Sequence, residues 1–220
     1  MAHADGLYYE RHGAGDPLLL ITGWTISAAV FEPLLDLYAK HFECIVYDHR
    51  GSARSEGSSP ATMGALADDA ARLLTALRIP RALVNGLSMG GMVAQEVALR
   101  HAGRERGEAL IGYFKRHRSS VKTIAAQTLA SARFDSTLRL DRIRAPTLVM
   151  HGERDRLVPL AASRLLAARI PDAELAVVPG TGHAFGLEAP QESLDLLLGW
   201  VERRLSRTVP REEAHVAPDR

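Results

Sequence analysis

Cysteine is all but absent from this chain. Cys44 is the single one in 220 residues, so no disulfide can close within the chain, and its place in an apolar run marks it as core rather than reactive. Excess charge is absent too: the formal net charge is +1, which argues against a nucleic-acid binder and against an acidic tail. The opening residues Met1-Ala2-His3-Ala4-Asp5-Gly6 carry neither the basic nor the apolar region of a signal peptide. No apolar run approaches the roughly 18 residues of a membrane span, and no internal repeat is found. A cytoplasmic protein with no membrane and no nucleic-acid partner is the resulting expectation.

The balance of what is present, 46% hydrophobic and 24% charged, is that of an ordinary globular chain. At this length one domain buries roughly 70–75% of its unfolded surface. Short apolar runs alternate with longer helical patterns, which predicts an α/β fold: a doubly wound, mostly parallel sheet covered on both faces. The expected strands are Leu18–Ile21, Cys44–Tyr47, Ala82–Val84, Thr147–Met150 and Leu175–Val178. Helices are expected over roughly 28–40, 63–77, 88–100, 160–168 and 190–205, the last opening on Pro190. Residues 206–220 are polar and aperiodic and read as a disordered tail after a domain of residues 1–205. The stretch 103–144 fits the alternation least. Its Glu108–Gly112 run makes a poor strand, and 116–134 reads as one or two helices over the strand ends.

Gly86-Leu87-Ser88-Met89-Gly90 carries the chemistry. A strand precedes it and a helix follows, so the turn between them must be sharp, with the serine projected outward. Backbone N–H groups at the start of the helix then lie beside the serine, where negative charge is favoured. The bland alternative is a glycine-rich turn with a structural serine.

A serine hydroxyl needs a base. Among the nine histidines, His183 falls in a glycine-rich turn after the last strand, at the same sheet edge as Ser88; the alternative is a loop or capping histidine. His151 ends a strand directly and reads as support for its turn. His41 and His49 read as structural, and His3, His12, His101, His117 and His215 as exposed. The base in turn needs an acid to fix its tautomer. Asp155, in Gly152-Glu153-Arg154-Asp155, is the choice; Glu153 and Asp48 compete, and a loop-capping role is the alternative for Asp155. An oxyanion needs fixed donors, for which the N–H groups of Met89 and Trp24 are the candidates. Trp24 equally reads as a pocket wall.

Taken together these residues resemble the α/β-hydrolase superfamily, in its small bacterial esterase, enol-lactonase and cofactor-free haloperoxidase-like branch. The resemblance spans Tyr8 to Arg204 and rests on Leu20-Ile21-Thr22-Gly23-Trp24, Asp48-His49-Arg50-Gly51, Gly86 to Gly91, Pro146 to Asp155 and Gly182-His183. It implies Ser88 as nucleophile, Asp155 as acid, His183 as base, and Trp24 and Met89 as oxyanion donors, with no cofactor and no metal. Three departures stand out. Thr22-Gly23 replaces the usual His-Gly, and Ala53 replaces a glycine. Only residues 103–144 are available where relatives fit a strand and a cap of several helices, so the cap is reduced, by nature or by deletion. A frail strand there would open the middle of the sheet and invite pairing between copies, which makes a homo-oligomer one expectation. Arg104, Arg106, Lys115, Arg116, Arg118 and Lys122 cluster in the same stretch and read as a solvated face, or as an attractor for acidic substrates.

The expected function is a serine hydrolase acting on a small ester or lactone. Perhydrolysis or carbon–carbon bond hydrolysis would use the same triad. A non-catalytic binding or oligomerising protein is the competitor from another class.

Overall fold

The computed structural model describes residues 2–102, 109–110 and 120–208. Its strands are β1 (Ala2–Ala4), β2 (Leu7–His12), β3 (Asp16–Ile21), β4 (Phe42–Tyr47), β5 (Leu83–Gly86), β6 (Ala109–Leu110), β7 (Thr147–Gly152) and β8 (Ala173–Val178). The helices are α1 (Glu32–Tyr38), α2 (Met63–Ala76), α3 (Met89–Arg100), α4 (Val121–Arg133), α5 (Leu160–Arg169), α6 (Phe185–Glu188) and α7 (Pro190–Thr208), with 3₁₀ turns at Ala28–Phe31 and Thr137–Arg142.

Leu18, Leu19, Leu20 and Ile21 are all buried, which a strand allows only where both faces are covered. Alternation then sorts the side chains. Leu19 and Ile21 pack with Ile45, Tyr47 and Val84 against Leu66 and Leu73 of α2 and Val93 of α3. Leu18 and Leu20 pack with Cys44 and Val46 on the opposite face, against Leu34 and Leu35 of α1 and Leu194, Leu197 and Trp200 of α7. The expected doubly wound arrangement is therefore present.

Strand pairing divides into a five-stranded sheet of order β1-β2-β4-β3-β5 and a three-stranded sheet of order β6-β7-β8. β3 runs parallel to β4 and β5, and β6, β7 and β8 run parallel. The N-terminal β1 and β2 are antiparallel additions. Of the Glu108–Gly112 run the described residues are Ala109 and Leu110, which pair with Val149 and Met150; the other three lie outside the described residues. Among the described residues no ladder joins β5 to β6, although the two strands lie in contact. Side chains also span the division: Leu20 and Leu83 share one core cluster with Leu148, Met150 and Val178.

Two departures from the sequence reading concern helices. The expected helix over 28–40 is a 3₁₀ turn followed by α1, with a proline in the first turn of α1. The final helix runs to Thr208, past the expected domain end at 205, and the rest of the proposed tail lies outside the described residues. Arg104, Arg106, Lys115, Arg116 and Arg118 also lie outside them. None of the described helices is long and apolar enough to cross a membrane.

Candidate active site

The turn from β5 into α3 is built by close backbone approach. A Cβ on Gly86 would overlap the carbonyl of Gly90, and one on Gly90 would overlap the carbonyl of Ile21. With those two positions bare, Leu87 N–H donates to the Ile21 carbonyl at 2.9 Å and the turn is drawn down onto β3. Ser88 sits at its tip with φ 53° and ψ −115°, a left-handed conformation that a non-glycine residue adopts only where its surroundings enforce it. Its side chain therefore stands clear of the helix it precedes.

His183 follows β8, as expected, and its ring bridges two side chains. Nδ1 lies 2.5 Å from Asp155 Oδ2, and Nε2 lies 3.3 Å from Ser88 Oγ. A carboxylate can only accept, so Nδ1 carries the proton and Nε2 presents its lone pair to the serine hydroxyl. Asp155 is held from two sides. Its other oxygen accepts from Leu157 N–H at 2.8 Å and Val158 N–H at 3.0 Å. Burial alone would raise its carboxyl pKa, but the bonds from Val158, His183 and Leu157 outweigh that and hold it below the ordinary value. The capping role weighed for Asp155 and its partnership with the histidine thus coexist on different oxygens.

The competing acids are engaged elsewhere. Buried Asp48 accepts from Ala28 N–H at 2.6 Å and from Arg54 Nε at 2.7 Å. Glu153 accepts from Gly180 N–H at 2.8 Å and so ties the turn after β8 to the turn after β7. His151 is buried with Nδ1 2.8 Å from Ser163 Oγ, in keeping with support for its turn, and burial lowers its pKa. His49 is buried as expected, whereas His41 is exposed.

The oxyanion candidates lie on either side of Ser88. Met89 is the first residue of α3, so its N–H has no acceptor within the helix. Trp24 follows Gly23, whose Cβ position lies 3.3 Å from the Ser88 Cβ, and among the described residues the Trp24 N–H meets no protein acceptor. Trp24 also packs against the core cluster beneath α2 and α3.

Two contributors escaped the sequence reading. Glu188 accepts from Gly182 N–H at 2.7 Å and Ala184 N–H at 3.2 Å, bracketing His183. Gln127, on α4, accepts from Thr25 N–H at 2.6 Å. Glu188 could have been found as an acidic residue in a short segment close after the histidine; Gln127 gave no such signal.

Known proteins share this frame. A family described as the alpha/beta hydrolase fold matches residues 16–112, and one described as serine aminopeptidase, S33, matches residues 116–190. The chain has the α/β-hydrolase fold. A protein of Azorhizobium caulinodans carrying the name carbamate hydrolase RutD is 29% identical, over 88% of this chain and 94% of its own. Two solved structures are similar at 29% and 25% identity. They are Est816, described as an N-acyl homoserine lactone degrading enzyme (TM-score 0.74, 90% of this chain and 98% of that one), and a thermophilic esterase from Thermogutta terrifontis (TM-score 0.79, 90% and 93%). The alignment with the Azorhizobium protein runs over 249 residues, more than the 220 of this chain, so that relative carries segments this chain lacks.

Proposed function

We propose that this α/β-hydrolase cleaves a small carboxylic ester or lactone through an acyl-enzyme on Ser88, with residues 1–205 acting as one catalytic domain under a reduced cap. The observation that carries the reading is the unbroken line from Asp155 through His183 to Ser88, at 2.5 Å and 3.3 Å. His183 Nε2 takes the hydroxyl proton as Ser88 Oγ attacks the acyl carbon. The carbonyl oxygen becomes an oxyanion held by the N–H groups of Met89 and Trp24. Asp155 stabilises the imidazolium, which then gives its proton to the departing alkoxide. Water, deprotonated by the same nitrogen, attacks the acyl-enzyme; the oxyanion forms and collapses again, the acid leaves, and the proton returns to Ser88.

A carbamate is a second substrate reading, favoured by the name of the Azorhizobium relative. The steps are the same, with a carbamoyl group on Ser88 in place of an acyl group.

The test is hydrolysis of p-nitrophenyl acetate and butyrate by the wild type and by Ser88→Ala. Turnover by the wild type that falls about 10⁴-fold or more in the variant is expected. Equal rates in the two proteins would overturn the assignment of the nucleophile and favour a binding protein.

A further inference from the structure

α4 buries the wrong residues for an ordinary amphipathic helix. Thr123, Gln127 and Ala130 form its buried stripe, while Val121 is 82% exposed and Ile124 and Leu129 are also exposed. A helix that docked for hydrophobic reasons would present the second set inward. The buried pair instead reaches backbone groups of two loops at the carboxyl edge of the first sheet. Thr123 Oγ1 donates to the Gly51 carbonyl at 2.6 Å, and one turn on, Gln127 Oε1 accepts from Thr25 N–H at 2.6 Å.

Those two loops are themselves joined. His49 Nε2 lies 3.1 Å from the Thr22 carbonyl. A carbonyl accepts, so Nε2 carries the proton of a neutral ring, which fits the lowering of its pKa by burial. A closed ring results: from residues 22–25 through His49 to Gly51, through Thr123 along α4 to Gln127, and back to Thr25. Thr25 completes it with φ 57°, the second left-handed non-glycine residue beside the site after Ser88. Such a conformation costs of order 1 kcal/mol or more and persists where neighbours over-determine it. Only one orientation of the Gln127 amide suits the position, because the flipped group would set an N–H against the Thr25 N–H.

We propose that Gln127 is a positioning residue: its side-chain carbonyl fixes the strained Thr25 peptide and thereby aims the N–H of the adjoining Trp24 at the developing oxyanion. The inference rests on the hydrolase reading above and deepens it. The reduced cap is then more than a cover, since one of its residues sets the geometry of the oxyanion loop.

The test pairs kinetics with hydrogen exchange in the full-length protein. Gln127→Met keeps the length of the side chain and removes the acceptor. Its kcat for p-nitrophenyl acetate is expected to fall about 10- to 100-fold with KM moving less than about twofold, somewhat less than the loss of an oxyanion donor itself. Amide exchange in the 22–27 segment is expected to speed up about tenfold or more, while β5 and α3 keep their rates. Gln127→Glu retains an oxygen facing Thr25 N–H and is expected to keep the wild-type exchange rate. Unchanged exchange at 22–27 in Gln127→Met overturns the proposal whatever the activity, and faster exchange with kcat intact overturns the link to catalysis. A wild type without turnover whose loop still responds would refute the hydrolase reading and uphold the restraint on the loop.

Discussion

The two sheets supply different halves of the candidate site, and each half is tighter within itself than across the division. From the first sheet come Ser88 and the two oxyanion candidates, locked by backbone contact between Gly90 and Ile21. The second sheet supplies Asp155 and His183, joined at 2.5 Å. Of the contacts linking Asp155, His183 and Ser88, the one that crosses from sheet to sheet is the long one, 3.3 Å between His183 Nε2 and Ser88 Oγ. β5 and β6 lie in contact, and Leu20 and Leu83 of the first sheet share a core with Leu148, Met150 and Val178 of the second, so packing helps to set the register of the two halves. The lesson is that the spacing of Ser88 and His183 depends on how the two sheets pack as well as on the turns that carry each residue.

The largest effect expected from breaking the second half alone is that of Asp155→Asn. It leaves an acceptor for Leu157 and Val158 but turns a hydrogen-bond donor towards His183, so the imidazole takes the wrong tautomer. A loss of about 10⁴-fold in kcat with little change in melting temperature is expected, read by steady-state kinetics and calorimetry. Next comes the packing that joins the halves. Met150 is fully buried in the shared cluster. Met150→Ala is expected to cost about 2–5 kcal/mol in denaturant unfolding. It should also lower kcat about tenfold where the protein is still folded, through a longer Nε2–Oγ distance. Full activity in a destabilised but folded Met150→Ala would break the comparison.

How far the sequence anticipated this division follows from what each residue advertises. Ser88, Asp155 and His183 lie in turns that follow apolar runs, each with a glycine within three residues, and so could be named and placed at one sheet edge. β1 and β2 could not, because Ala2–Ala4 is a short edge and Leu7–His12 ends in Glu10, Arg11 and His12, which read as loop. α4 could be placed within 116–134, yet not its inward face. Periodicity assigns apolar residues to the core, and here hydrogen bonds to loop backbone bury Thr123 and Gln127 instead. Contacts across the sheet division are likewise silent in a linear pattern.

Smaller effects sharpen the comparison through pH. Each half holds a buried histidine whose pKa is pushed below its ordinary value by burial, His49 under the oxyanion loop and His151 at the end of β7. The folded state therefore resists protonation that the unfolded chain accepts near pH 6.5. Stability is expected to be complete above that pH and to fall as pH drops through it towards the lowered folded values. The slope is at most about 1.4 kcal/mol per pH unit for each histidine. Melting temperatures between pH 8 and 5 check this, and His151→Gln should remove the share of the second half while leaving that of His49. The smallest effect is at the rim of the second sheet. Arg204 pairs with Asp172 at 2.7 Å and Glu174 at 2.8 Å. Such a pair near solvent contributes little, so Arg204→Ala is expected to cost below about 1 kcal/mol in urea unfolding.

The central claim, that Ser88 is a nucleophile activated across the two sheets, is tested most directly by treating the native protein with a fluorophosphonate and mapping the adduct by mass spectrometry. We predict a single adduct on Ser88, absent in Ser88→Ala and formed about 10³-fold or more slowly in His183→Ala. A native protein that gains no adduct, or an adduct that persists in Ser88→Ala, would contradict the account.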